Sequence, residues 1–158
     1  MANVVSNTGP LIALAQIDQF DLLRRLFVKI IIPPAVRAEI QDEISVAALT
    51  AADWITVQPT QDTLAEQLLR EEFDAGESEA IILAKELNAD LVLIDERAAA
   101  RKARTLGLRV IGTLGVLLLG KRAKHLATIK PLLDSLREHD FRMSNSLYDQ
   151  VLRDAGES

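Results

Sequence analysis

Three apolar runs, each too short for a helix, limit what this chain can fold into. They are Val4-Val5, Lys29-Ile30-Ile31-Ile32 and Leu91-Val92-Leu93-Ile94. Apart from the leading lysine they are unbroken and mostly branched, and they do not alternate with polar residues. Such runs suit strands covered on both faces, as in a parallel sheet. Arg109-Val110-Ile111 makes a weaker fourth. Helical patterns lie between them: Pro10 to Ile17, Phe20 to Phe27, Ala35 to Ile44 behind Pro34, Thr63 to Phe73, Glu77 to Leu87, and Arg97 to Leu106 ending at Gly107. Thr113 to Lys124, Thr128 to Glu138 and Ser144 to Asp154 follow. Strands alternating with helices predict an α/β fold with a mostly parallel sheet. Only short loops separate the elements, so residues 1–158 read as a single domain.

Composition removes several chemistries. The chain has no cysteine, which excludes disulfides, thiolate metal sites and a cysteine nucleophile. No apolar run approaches the ~20 residues of a membrane span, and no basic segment precedes an apolar stretch at the N-terminus. A cytoplasmic protein without a membrane partner is the expectation. The net charge of −5 argues against a polyanionic partner, but the charge is unevenly spread. Between Arg97 and Leu133 lie nine of the 18 basic residues and none of the 23 acidic ones. Such polarity fits an anionic polymer; solvated outer helix faces would explain it equally well.

The acids fall at suggestive places. Asp95 directly follows LVLI, and Asn7 follows the first strand in the same way, so neighbouring parallel strands would bring both into one crevice. Either could instead cap the helix that follows. Glu39 lies three residues after Val36, beside an apolar helix face, where a boundary role is the plainer explanation. Glu77 and Glu79 open a helix, and the helix dipole alone accounts for acids there. Two residues apart, they cannot share a face. Glu79 aligns with Ile82, Leu83 and Leu87, an inward position that is costly for a carboxylate without a partner.

Asn7, Glu39, Glu79 and Asp95 together make a hard oxygen set suited to Mg²⁺ or Mn²⁺ and not to zinc. His125 and His139 fall in late helices and read as surface residues. Carboxylates holding a divalent cation beside a basic stretch describe metal-assisted phosphodiester hydrolysis. Gly115 to Lys121 has nearly the spacing of a P-loop, but Arg122 stands where Ser or Thr must hold Mg²⁺, and VLLL packs as a helix. Gly112-Thr113 opens a helix after the fourth strand, where its amides and hydroxyl could meet a phosphate or simply cap the helix.

In order, VVSNTGPLIALA, IIIPPAVRAEI, GESEAIILAKE and LVLIDERAAARKARTLGLRVIGTLGVLL resemble the PIN-domain family. The likeness is to a branch long labelled a domain of unknown function, similar to VapC-type toxin nucleases, and it covers nearly the whole chain. It implies a Rossmann-like parallel sheet of about five strands and an Mg²⁺- or Mn²⁺-dependent endoribonuclease. It also implies a toxin role with a cognate antitoxin, and a homodimer. The family's acidic positions carry over to position 7, Glu39, Glu79 and Asp95, with Glu96 as an accessory. Ser6 and Thr8 match polar neighbours of the first acid. Asn7 is the departure, since many relatives have Asp there.

Three readings compete. A ribonuclease would position RNA by its backbone through Arg97, Arg101, Lys102, Lys121 and Arg122, with Thr113 as an accessory. A weakened PIN-like module would bind RNA or an antitoxin without cutting, and Asn7 favours it. A Rossmann-like phosphatase needs an aspartate nucleophile after the first strand, a role Asn7 cannot fill.

Overall fold

The computed structural model describes residues 3–157. In chain order its elements are β1 (Val4–Ser6), α1 (Thr8–Gln16), α2 (Phe20–Phe27), β2 (Ile30–Ile32), α3 (Pro34–Glu39), α4 (Glu43–Ala51), β3 (Ile55–Val57) and α5 (Thr63–Leu69). Then come α6 (Ala75–Glu86), β4 (Leu91–Leu93), α7 (Arg97–Thr105), β5 (Val110–Ile111), α8 (Thr113–Arg122), α9 (Lys130–Glu138) and α10 (Asn145–Asp154). The strands form one parallel five-stranded sheet in the order β3-β2-β1-β4-β5. The expected α/β fold with a parallel sheet flanked by helices is therefore present.

The strand runs behave as their composition dictates. Val4, Val5, Ile30, Ile32, Val92 and Leu93 are wholly buried, because helices cover both faces of the sheet. β1 is central, with β2 on one side and β4 on the other. The chain reverses its winding between β1 and β4, and an open α/β sheet binds ligands outside the carboxyl ends of the strands at that switch point. Ser6 pairs with Leu93 in register. The ends of β1 and β4 are thus level, and the residues after them emerge side by side.

Two local departures from the sequence pattern have physical causes. β3 was not legible among the strand runs, because Ile55-Thr56-Val57 is an edge strand that is largely exposed and carries no continuous apolar run. The helix expected over Ala35 to Ile44 is two helices. α3 stops at Glu39, and Ile40 is extended at φ −83°, ψ 107°. Asp42 then starts α4 by accepting the Ser45 N–H at 3.0 Å. This break leaves Glu39 at the C-terminal end of α3, the position that matters below.

Val28 carries backbone strain. Its φ of +68° and ψ of −43°, with the Lys29 N–H donated to the Phe27 carbonyl at 2.7 Å, form a γ-turn of the positive-φ kind. A β-branched residue is poorly suited to it, and Val28 is 73% exposed, so no packing compensates. Val28→Gly should relieve the strain at the cost of some chain entropy, for a net gain of about 0.5–1 kcal/mol. Urea denaturation of both proteins checks this; Val28→Ala, which keeps a Cβ, should gain much less.

Candidate active site

At the end of β1 the Asn7 N–H donates to the Leu93 carbonyl at 2.9 Å, tying the first strand to the fourth at the crevice. Asn7 stands in the N-cap position of α1, yet its side chain makes no capping bond. Its Oδ1 is buried and has no hydrogen-bond partner among the described residues. Position 7 is thus not explained by capping. An amide oxygen out of water and without a donor is costly to leave so.

Asp95 is likewise not the cap of the helix it precedes. Glu96 has that task, accepting the Ala98 and Ala99 amides at 3.0 and 2.7 Å. The Asp95 carboxylate instead takes the Thr113 N–H and the Thr113 hydroxyl, each at 2.7 Å. Thr113, buried at the start of α8, therefore fixes the acid across the β4–β5 edge. Gly112 makes room for it, since a Cβ there would lie 2.5 Å from Asp95 Oδ1.

Glu39 arrives from the end of α3. The Thr8 hydroxyl donates to its Oε2 at 3.0 Å. The carboxylate lies against the first turn of α6, where any side chain at Gly76 would collide with it. Glu77 is in that same turn. It completes a capping box with Asp74, accepting the Asp74 N–H at 3.3 Å while Asp74 accepts the Glu77 N–H at 2.8 Å. Asn7, Glu39, Asp74, Glu77, Asp95 and Glu96 line one cavity of about 540 Å³, with Thr8 and Gly9 in its wall. Phe141 and Arg142 form its rim from the distant C-terminal segment.

The site strains its charges. Burial pushes the Asp95 carboxyl above its usual range, although the Thr113 hydroxyl and amide oppose the shift. Glu39 is raised by burial and by Asp74, against the Thr8 hydroxyl and the Gly76 amide. Glu77 is raised by burial, Asp74, Glu96 and Glu39, against the Asp74 amide. A cation in the cavity would relieve all three and give Asn7 Oδ1 a partner. The donor set, hard oxygens only, suits Mg²⁺ or Mn²⁺. Among the described residues no three carboxylates close on a common point as a finished metal cage.

One expected site residue lies elsewhere. Glu79 is absent from the cavity wall; it accepts the Ala35 N–H at 3.1 Å, at the start of α3. Burial and its neighbour Glu66 raise its carboxyl, while Ala35 and Arg70 oppose this. Its partly inward position was legible, but inward on that face means toward α3. Two residues along a helix turn the side chain by about 200°, so only Glu77 meets the cavity. Ser6 is buried and donates to the Asn7 carbonyl at 2.9 Å, outside the cavity lining.

The expected basic track is also dispersed. Lys121 reaches Glu157 at 2.8 Å. Burial would raise Glu157, but Lys121 and the Ile129 and Lys130 amides hold it below its usual range. Lys121 thus anchors Glu157, which follows α10. With Arg122 it ends a helix whose other end is at the site, about 13 Å away. Lys102 pairs with Glu72 at 3.5 Å, and Arg101 lies beside it in a separate shallow cavity. Arg97 alone of the five borders the groove next to the acidic cavity. His125 and His139 are exposed, as expected.

The sequence profile of the PIN-domain family matches residues 3–157. The chain belongs to the PIN-domain family. PIN domains are in general nucleases and usually use divalent metal ions. A solved structure similar to this chain is a PilT N-terminus domain protein, SSO1118, from the hyperthermophilic archaeon Sulfolobus solfataricus P2. It is 21% identical, with a TM-score of 0.42 over 74% of this chain and 91% of that one. No curated protein matches the chain.

The raised carboxyls of this PIN domain make a signed prediction. A carboxylate with a higher pKa folded than unfolded binds more protons when folded. Its penalty is full above the folded value and vanishes below the unfolded one. Glu77→Gln preserves the capping box and removes one repelling charge. The metal-free variant should have a higher melting temperature than the parent at neutral pH. The difference should shrink as pH falls through the carboxylate range. Thermal unfolding in chelator across that range reads it out.

Proposed function

We propose that this PIN domain is an Mg²⁺- or Mn²⁺-dependent endoribonuclease that hydrolyses RNA phosphodiester bonds. The observation that carries the reading is the buried Oδ1 of Asn7, without a partner among the described residues, in one cavity with carboxylates that repel one another. Asp95, Glu39 and Glu77 would hold the cation, with Asn7 Oδ1 as a neutral donor. Glu79 gives up that role. When bound, the ion acidifies an attacking water and offsets charge building on the phosphate.

The chain's own groups supply the rest. Thr113 holds both oxygens of Asp95, so this carboxylate need not reorganise as charge develops. The Thr8 hydroxyl holds one oxygen of Glu39. A toxin role, a cognate antitoxin and a homodimeric state enter the proposal from the resemblance to VapC-type nucleases. A second reading, a PIN module that binds without cutting, is favoured by Asn7 in place of an acid.

Asp95→Asn keeps the shape of the side chain and an oxygen for the Thr113 N–H, while the Thr113 hydroxyl can turn to accept from the new amide. It should weaken Mn²⁺ binding at least about tenfold, the scale on which even supporting partners of a metal ligand act, and abolish chelator-sensitive RNA cleavage. Unchanged Mn²⁺ affinity by calorimetry would exclude the metal site. Binding without any cleavage in the parent would favour the second reading.

Asn7→Asp restores a unit of negative charge. The Coulomb attraction between one charge and a nearby divalent ion is several kcal/mol before solvent competition. After screening, Mn²⁺ should bind about tenfold more tightly, and cleavage should rise with it. Equal affinities would mean that position 7 does not face the ion.

A further inference from the structure

A second and larger groove, about 1140 Å³, adjoins the acidic cavity. The two share Phe141 and Arg142. Arg97, Arg137 and Arg142 line the larger groove, against one carboxylate, Asp140. Phe141 is the one aromatic side chain in either cavity lining.

The segment that carries Phe141 and Arg142 is held in place. Arg137 donates to the Ser144 carbonyl at 3.3 Å and to Asn145 Oδ1 at 3.1 Å. Its guanidinium also lies 4.2 Å from the centre of the Tyr148 ring. Tyr148 is fixed in turn by its hydroxyl bond to Asp134 at 2.6 Å. Arg137 is thus committed to the loop between α9 and α10. Arg97 and Arg142 have no ion-pair or side-chain hydrogen-bond partner among the described residues, although Arg142 stands at the rim of a cavity full of carboxylates.

We infer that this groove carries a single RNA strand past the acidic cavity. Arg142 and Arg97 contact its phosphates, and Phe141 supports the base beside the bond that is cut. This rests on the nuclease reading above and assigns its substrate track. Arg142 at the edge of the acidic cavity and Arg97 in the adjoining groove have no ion-pair partner among the described residues, and a phosphate chain supplies the complement. The acidic cavity repels a polyanion unless a cation is bound, so binding must be drawn from its edge. A ring at the junction can stack only on a base that has left its helix, which selects single strands. The track enters over the α9–α10 loop and not over the α7 and α8 faces that carry Arg101, Lys102, Lys121 and Arg122.

The test is fluorescence polarisation with an unstructured, hydrolysis-resistant phosphorothioate RNA in Mg²⁺ buffer. Arg142→Gln and Arg97→Gln should each weaken binding and lower the salt dependence by about one released counterion. Phe141→Leu, which keeps apolar bulk in a half-buried position, should weaken binding about 5- to 100-fold, and Phe141→Trp should keep it tight. Arg101→Gln, away from the groove, should bind as the parent does. A duplex of the same sequence should bind more weakly. If the parent binds RNA but the Phe141→Leu and Arg142→Gln proteins bind it equally well, the track is elsewhere and the nuclease reading survives. If the duplex binds as tightly as the single strand, the single-strand assignment is overturned. If the parent binds no RNA, the inference and the nuclease reading fall together.

Discussion

The pairing of β1 with β4 is the constraint on which the rest of the site depends. Their register sets Ser6 opposite Leu93, and the Asn7 amide closes the ladder on the Leu93 carbonyl. Because the two strands run parallel and end level, Asn7 and Asp95 leave the sheet together at the switch point. A slip of one residue would turn one of them to the opposite face of the sheet. The buried apolar residues of both strands oppose that slip, since it would exchange side chains between two differently packed helix layers and leave voids and overlaps in the core. The same hydrophobic burial that stabilises the core therefore sets the geometry of the polar cluster above it.

Around that pair, local capping chemistry divides the acids between structural and free roles. Glu96 satisfies the amides of α7, which releases Asp95 from that duty. Asp74 and Glu77 satisfy each other's amides at the start of α6, yet both remain in the cavity wall. Gly76 and Gly112 are needed for a steric reason: each lies where a Cβ would strike a carboxylate of the site. The result is a group of partly exposed acids held close together by backbone and hydroxyl donors, with no basic residue among the causes of their shifts. That arrangement is unfavourable for the bare protein and favourable for a cation, which is the usual trade at a binding site.

How much of this was legible in the sequence follows from the range of each interaction. The strand runs were legible because burial on both faces of a sheet writes itself as consecutive apolar residues. The helix starts at Pro34 and Ser144 were legible, whereas Asp42, which starts α4, was read as part of one continuous helix. β3 left no such trace, because an exposed edge strand is not selected for continuous hydrophobicity. Asp95 was legible as a strand-end acid. Its partner Thr113 was noted only for its own place at a helix start, since their contact spans 18 residues.

The sequence by itself determined the parallel α/β architecture, the strand-end positions of Asn7 and Asp95, and an oxygen-only donor set without cysteine. Those depend on local composition and on rules of strand connection that hold in every such sheet. Only the tertiary structure decided that Glu77 and not Glu79 faces the cavity, because the rotation of α6 about its axis is set by its capping box and by its packing on α3. Only the tertiary structure brought Phe141 and Arg142 to the rim. They follow the last strand by about thirty residues in a segment with no strand or motif to mark it. They arrive there because Arg137, stacked on Tyr148, holds the loop between the last two helices against the open end of the sheet.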